Sequence, residues 1–225
     1  MGENALPPVI AIDGPSASGK GTVAHGVANV LGFRYLNSGA LYRAIALVAL
    51  ESGADLENES RLLNIALNLK VKLTGDSIEL EARDVTDATR GENVSAAASR
   101  IAARPAVRKA LIERQRAFRR SPGLVAEGRD MGSVVFPDAA LKIYLTASPE
   151  ARAERRYKQL MDKGMGATMT ALLQDIRARD ERDSNRAAAP LQKGADAVLI
   201  DTTSLSAADA VAQVLALYKQ ASKAP

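Results

Sequence analysis

The residues with the most chemical reach lie together in Gly14-Pro15-Ser16-Ala17-Ser18-Gly19-Lys20-Gly21-Thr22. Glycines let a backbone curl until successive N–H groups point inward at phosphate oxygens. A helix opening at Lys20 adds the partial positive charge of its N-terminus, and Lys20 supplies a mobile full charge for the outer phosphates. The context fits: the apolar run Val9 to Ile12 reads as a buried strand just before the motif. A stripe of Val23, Val27, Val30 and Leu31 marks a helix, Lys20 to Leu31, just after it. Strand, loop and helix in that order point to a nucleoside-triphosphate site rather than a glycine-rich turn beside a surface lysine. The general motif places Ser or Thr directly after the lysine as a Mg²⁺ ligand. Here Gly21 holds that position and Thr22 comes one later.

Three other constellations carry polar chemistry. Asn37-Ser38-Gly39-Ala40-Leu41-Tyr42-Arg43 stands at a strand-to-helix junction, where a helix-start turn with Tyr42 packed as core is an equally good reading. Glu127-Gly128-Arg129-Asp130-Met131-Gly132 directly follows the short strand Leu124 to Ala126. Ligands of open α/β sheets sit beyond the carboxyl ends of strands. An acid there, Glu127, can orient the waters of a Mg²⁺ ion, as Walker-B acids do; a salt-bridged surface loop is the plainer alternative. Arg179 through Arg186 places Arg179, Asp183 and Arg186 on one helical face, at steps of four and three. Charges at those steps are routinely exposed ion pairs.

These segments need a scaffold. Gly39 to Leu50 and Leu62 to Leu69 read as helices. Val71 to Leu73 and Ile78 to Leu80 alternate with period two around Thr74-Gly75-Asp76-Ser77, which predicts a hairpin, with a third strand at Val85. Asn93 to Phe118 reads as helix divided by Pro105. Leu141 to Leu145 reads as a strand, Pro149 to Gln159 as a helix broken by Gly164 and Gly166, and Met169 to Asn185 as a charged helix. Ala197 to Ile200 and Ser206 to Tyr218 close the pattern as strand and helix, Ser206 with Asp209 resembling a capping pair. Strands alternating with helices at both ends predict a mostly parallel, doubly wound sheet, with the hairpin region inserted outside it.

Composition narrows the function classes. The chain has 225 residues, 47% hydrophobic and 25% charged, enough for one sizeable core. There are no cysteines, which excludes disulfides and thiolate metal sites and suits a reducing cytoplasm. The lone His25 cannot build a histidine metal cluster and reads as a surface or half-buried helix residue. No stretch approaches the ~18 apolar residues of a membrane span. Met1 to Pro8 shows no secretory pattern, and Leu6 stands where an acylation motif wants Ser or Thr. Net charge is +4, with 20 Arg against 10 Lys. Arginine forks suit phosphate oxygens. Eight Phe and Tyr in all leave little for base-stacking platforms, so no nucleic-acid partner is expected.

The Gly-Lys-Gly-Thr ending resembles the nucleoside-monophosphate kinase branch of P-loop proteins. Taken with Ile12 to Ser16, Ser38 to Arg43, Gly128 to Gly132 and Arg179 to Leu191, in that order along nearly the whole chain, the sequence resembles the bacterial cytidylate kinases. That resemblance implies a single three-layer α/β/α P-loop domain over 1–225. Its core would span about 7–38 and 119–225, with a monophosphate-binding insertion carrying a small antiparallel sheet at about 39–118 and a short helical lid at about 155–168. It implies transfer of a phosphoryl group from ATP, with Mg²⁺, to CMP or dCMP, by a cytoplasmic monomer. Gly14, Pro15, Ser16, Ala17, Ser18, Gly19, Lys20, Gly21 and Thr22 would hold ATP. Ser38, Ser99, Arg108 and Asp130 would read cytosine, with Tyr42 in the same substrate pocket. Arg43 and Arg129 would clamp the monophosphate, and Asp183 and Arg186 would meet the pentose. Lys20, Arg129 and the lid residues Arg155 and Arg156 would carry catalysis, with Glu127 reaching the metal through water. Glu127 and Asn37 stand where relatives carry Asp.

Overall fold

The computed structural model describes residues 6–162, 164, 166–186 and 188–222. Met1 to Ala5, part of the stretch read for targeting signals, lie outside them, as do Lys163 and Met165 of the expected lid. Strand β1 (Val9–Asp13) leads through the glycine loop into α1 (Lys20–Leu31), then β2 (Arg34–Asn37) and α2 (Ser38–Glu51). Helix α3 (Glu59–Leu67), strands β3 (Val71–Thr74), β4 (Ser77–Leu80) and β5 (Arg83–Asp84), and helices α4 (Glu92–Ile101) and α5 (Pro105–Arg116) follow. The chain continues through β6 (Leu124–Gly128), a π-helical turn at Met131–Val135, β7 (Leu141–Thr146), α6 (Pro149–Met161), α7 (Met169–Asn185), β8 (Val198–Asp201) and α8 (Ala207–Ala221).

Five strands form one parallel sheet in the order β2-β6-β1-β7-β8, as the alternation of strands and helices predicts. All of β1 and β6 is buried, which is why both read as unbroken apolar runs. Their side chains alternate between two cores. Ile10, Ile12, Val125 and Ile143 pack with Val23 and Val27 of α1 and Val214 of α8. Val9, Ala11, Leu124 and Ala126 face Met131, Val135 and Phe136. Each such fully buried aliphatic side chain contributes about 1.5–3 kcal/mol. A separate cluster, from Ala40 to Leu111, joins α2–α5 to Ile78 and Leu80 of the small antiparallel sheet and to Val85 just after it. A fourth cluster, with Leu160, Leu172 and Ile176, holds α6 against α7.

Register aligns the chemistry. Ile12 and Asn37 both pair with Glu127, and Asp13 pairs with Gly128. The carboxyl ends of β2, β6 and β1 therefore form one row, and the glycine loop leaves from it. Side-chain caps start the helices nearby: Asn37 accepts from Ala40 N–H at 3.1 Å and Ser148 from Ala151 N–H at 3.2 Å.

The structure departs from the sequence reading in three places. The expected third strand at Val85 is Arg83–Asp84, because Val85 turns down into the core. The preceding turn uses Glu81 and Ala82, both at positive φ, and neither is a residue that signals such a turn. The 93–118 pattern ends as helix at Ile101, resumes at Pro105 and stops at Arg116. Arg104, before the proline, is forced into an extended conformation.

Among the described residues no helix is long and apolar enough to cross a membrane. The arginine surplus is largely committed to acids: Arg83 to Glu51, Arg100 and Arg104 to Glu57, Arg119 to Asp138 and Arg177 to Glu150. Exposed pairs of this kind each contribute ~0–1 kcal/mol.

Two glycines separate backbone strain from steric exclusion. Both have positive φ, but a Cβ on Gly14 would lie 2.0 Å from the Leu145 carbonyl oxygen, whereas one on Gly32 meets nothing within 4 Å. Gly32→Ala should cost about 1–2 kcal/mol of left-handed strain. Gly14→Ala should cost more than about 4 kcal/mol, because backbone must move. Urea unfolding of both variants checks this, and equal losses would show that β7 yields to the loop.

Candidate functional site

The row of strand ends opens on a cavity of about 560 Å³ lined from every quarter of the fold. Ser16 to Thr22 form one wall, and Ser38, Tyr42 and Arg43 of α2 another. Ser99 of α4, Glu127, Arg129 and Asp130 of the β6 edge, and Asp183 and Arg186 at the end of α7 complete it. Arg155 also lines it. Four expected residues do not. Gly14 lies beneath the loop against Leu145, and the Pro15 carbonyl accepts from Lys20 Nζ at 2.6 Å. Arg108 sits behind Asp130, paired with its Oδ2 and donating to Ala102 O at 3.1 Å. Arg156 lines the neighbouring cleft, paired with Glu92 and donating to the Arg90 carbonyl at 3.2 Å.

The loop is shaped by claims on its carbonyls. Ser18 Oγ donates to Pro15 O at 3.0 Å, Arg152 Nη1 to Ser16 O at 3.2 Å, and Thr202 Oγ1 to Ser18 O at 3.0 Å. Held this way, the loop can offer its amides to an anion. Arg155 braces the same corner, donating to the Thr202 carbonyl, to Thr202 Oγ1 at 3.0 Å and to Ser18 O at 3.4 Å. Its guanidinium is thus beside the loop and engaged with backbone.

Cations crowd the cavity. Lys20 is buried, Arg129, Arg179 and Arg43 are half-buried, and the four repel one another. Burial, with Arg129 next, pulls the Lys20 ammonium down to about 7. Burial and Arg129 pull Arg179 down to about 10. Arg43 and Arg186 are lowered as well, burial being the main cause in each. Buried Nε of Arg43, Nε of Arg179 and Nη2 of Arg186 find no hydrogen-bond partner among the described residues. Unmet donors on buried charges are costly, which makes them a site for an anion that is itself rich in oxygen.

Acids hold the cluster in place without neutralising it. Arg129 Nε donates to Asp183 Oδ2 at 2.7 Å. Burial pushes Asp183 up, but the Arg129 and Arg179 charges win and hold it below the usual carboxylate range. Tyr35 donates its hydroxyl to Glu127 Oε1 at 3.1 Å, and burial together with that carboxylate pushes the phenol up, so it stays a donor. Tyr42 is both core and wall: it is nearly buried, its phenol pushed up to about 12 mainly by burial, and it lines the cavity.

Three residues matter here that the sequence reading left without a role. Arg179 was placed on the face of Asp183 and Arg186, but its depth follows only from packing. Arg152 is 3% exposed and spends one guanidinium on three segments: Ala147 O at 3.0 Å, Ser16 O at 3.2 Å, and Asp180 at 3.0 and 2.5 Å. It thereby ties the glycine loop to the helix that carries Arg179 and Asp183. Asp13 accepts from Met131 N–H and Gly132 N–H, both at 2.8 Å, capping the π-helical turn and fixing Arg129 and Asp130 relative to the loop. The only sequence signal for Asp13 was an acid ending an apolar strand. Gly128 permits a related approach, since a Cβ there would fall 2.5 Å from Ser38 Oγ.

Metal donors are few: among the described residues no group of three acids or histidines could hold an ion. Glu127 lines the cavity close to the loop, and a Cβ on Gly21 would come 3.3 Å from its Oε1. That donor set fits Mg²⁺, which keeps several waters and uses one or two carboxylates plus substrate phosphates.

Two titrations check these electrostatics. Burial outweighs the two amide bonds at Asp13 and pushes its carboxyl up to about 6 from 3.8. A raised acid contributes stability that is full below pH 3.8 and lost as pH rises through 6. Asp13→Asn should therefore gain on the wild type by roughly 2 kcal/mol between pH 4 and pH 7 in urea unfolding; a constant difference would mean that the amides keep Asp13 ionised. At Lys20 the sign is opposite, since a phosphate favours the ammonium. At pH 8, ATP binding should take up roughly one proton per site, read from binding heats in buffers of different ionisation enthalpy. No proton uptake would place Lys20 near its ordinary value.

The chain was compared with known proteins. The family model for cytidylate kinase matches residues 10–220. A cytidylate kinase of Nitrosomonas europaea is 56% identical over 217 residues, covering 96% of this chain and 97% of that protein. One of Cupriavidus necator is 56% identical over 207 residues, covering 92% and 93%. Among solved structures, a gluconokinase from Sinorhizobium meliloti 1021 superposes with a TM-score of 0.48 at 17% identity, covering 96% of this chain and 93% of that one. A family model that spans the chain from β1 to α8, and relatives this similar over nearly their whole length, establish that the chain belongs to the cytidylate kinase family.

Proposed function

We propose that the protein transfers the γ-phosphoryl group of ATP to CMP or dCMP, giving ADP and CDP or dCDP. The observation that carries this is the pair of adjoining anion sites: a phosphate loop on one wall, and buried guanidinium groups with unmet donors on the other. An NTPase that used water would need only the first.

In this reading the amides of Ser16 to Thr22 and Lys20 hold the donor phosphates, and Arg43, Arg129 and Arg179 hold the acceptor phosphate. The acceptor's phosphate oxygen is already ionised at neutral pH, so no strong general base is needed. That oxygen forms a bond to the γ-phosphorus as the bond to the β,γ-bridging oxygen breaks, and ADP leaves with the electron pair. Positioning and positive charge supply most of the catalysis. Glu127 would orient the waters of a Mg²⁺ ion, which when bound would supply positive charge to the phosphates.

Base choice falls to Asp130. Arg108 holds its Oδ2, and the carboxylate's Oδ1 would accept from the exocyclic amine of cytosine. Uracil presents a carbonyl there and would repel it. Ser38 and Ser99 line the cavity with Asp130 and would join it in reading the base, and Asp183 with Arg186 would meet the pentose. Water must be kept from the γ-phosphate. Closure of the region about 39–118 and of the segment about 155–168 over the cavity would exclude it, with Arg155 and Arg156 exchanging their present backbone and Glu92 partners for phosphate oxygens. The protein is read as a monomer working in the cytoplasm.

An ADP-release assay across CMP, dCMP, UMP and AMP tests the assignment. CMP and dCMP should lead; activity with none of them, beside ordinary ATP binding, would refute it. Lys20→Ala should lower kcat by roughly 10²–10³, a loss typical of one electrostatic donor. Asp130→Asn, which keeps a partner for Arg108, should narrow the CMP-over-UMP preference by about tenfold or more. An unchanged preference would remove Asp130 from base reading.

A further inference from the structure

Glu127 is held in an unusual way. It is 7% exposed, in the middle of the row of strand ends, with Ile12 and Asn37 as its neighbours in register. Lys20, Arg43 and Arg129 all feel its charge. Among the described residues its side-chain hydrogen bond nevertheless goes to none of them but to a neutral group, the Tyr35 hydroxyl, at 3.1 Å. Tyr35 reaches in from β2, two residues before Asn37. Its ring lies against the His25 imidazole of α1, with centroids 5.4 Å apart and planes at 58°.

Gly21 makes room for this pair. A Cβ at position 21 would lie 3.3 Å from Glu127 Oε1 and 3.6 Å from the Tyr35 hydroxyl oxygen. Contacts of 3.3 Å to a Cβ are tight, so a serine or threonine there would crowd the carboxylate. The general loop motif puts a metal-binding hydroxyl at this position. Here the side chain is gone, and a carboxylate anchored by a phenol fills the adjoining space.

The anchor has an electrostatic purpose. A glutamate has three side-chain torsions, and a loose one beside buried guanidinium groups would close onto the nearest. Arg43, whose Nε has no partner among the described residues, would then lose its readiness for the acceptor phosphate. A neutral donor holds the carboxylate at the loop without using up a cation.

Resting on the phosphoryl-transfer reading, we propose that Tyr35 is a positioning residue: its hydroxyl fixes Glu127 across the space left by Gly21, so that the carboxylate serves the Mg²⁺–ATP side of the cavity and leaves Arg43 available for the phosphate of CMP. Tyr35→Phe tests this cleanly. It removes one oxygen and keeps the ring against His25. Mn²⁺ binding to the protein saturated with the β,γ-imido analogue of ATP, followed by electron paramagnetic resonance, reads the metal side without turnover. Affinity should fall about tenfold or more, the effect of one hydrogen bond to a charged group. The KM for CMP should rise and the melting temperature should stay near that of wild type. In a Glu127→Gln background the same substitution should add little to either readout, because Tyr35 acts through Glu127. Wild-type Mn²⁺ affinity in Tyr35→Phe would overturn the proposal, as would a full effect in the Glu127→Gln background. A wild-type protein that binds the Mn²⁺ complex but makes no CDP would instead refute the function, so the two failures are distinguishable.

Discussion

The structure depends on mutual repulsion among cations that are buried before any phosphate arrives. Lys20, Arg43, Arg129, Arg179 and Arg186 lie at or close behind one small cavity, and Asp183, Glu127 and Asp130 offset only part of their charge. Desolvating several like charges is expensive in any folded protein. The lowered Lys20 ammonium and the unmet guanidinium donors are that expense made visible. Two nucleotides carrying phosphate oxygens would relieve it. On the proposed function, such a cluster would bind phosphate and would also present fixed positive charge where the transferred group must pass.

Such a cluster needs an unyielding frame. The sheet register sets Asn37, Glu127 and Asp13 in one row, so the glycine loop and the Arg129–Asp130 turn leave from adjacent strand ends. Asp13 clamps that turn, Arg152 joins the loop to α7, and Tyr35 keeps Glu127 off the arginines. None of the three needs to touch substrate. Their work is to hold charges at separations that those charges, left alone, would not keep.

The fold was largely legible in the sequence because its signals are local. The apolar runs of β1 and β6, the strand–loop–helix order around Lys20 and the alternation in the hairpin each report on neighbouring residues. Glu81–Ala82 escaped because the turn uses residues without turn chemistry, and β2 was implied only by its junction, since Arg34 and Tyr35 make a polar edge strand. The cavity lining was legible as far as motifs reach: Lys20, Arg43, Arg129, Asp130, Asp183 and Arg186 all converge there. The supporting residues were not. Asp13, Tyr35 and Arg152 act on partners 119, 92 and 136 positions away or nearer, and no spacing rule encodes such pairs. For Arg156 the family resemblance implies a phosphate contact, and in this structure it is paired with Glu92.

Thermal stability with CMP and with cytidine, at one ionic strength, puts the central claim to the most direct test. The two ligands share base and sugar and differ in the phosphate alone. If unrelieved positive charge governs the cavity, CMP should raise the melting temperature clearly and cytidine at the same concentration should barely move it. An equal rise with both would mean that the pocket is organised around the base, and that the buried guanidinium groups are not waiting for an anion.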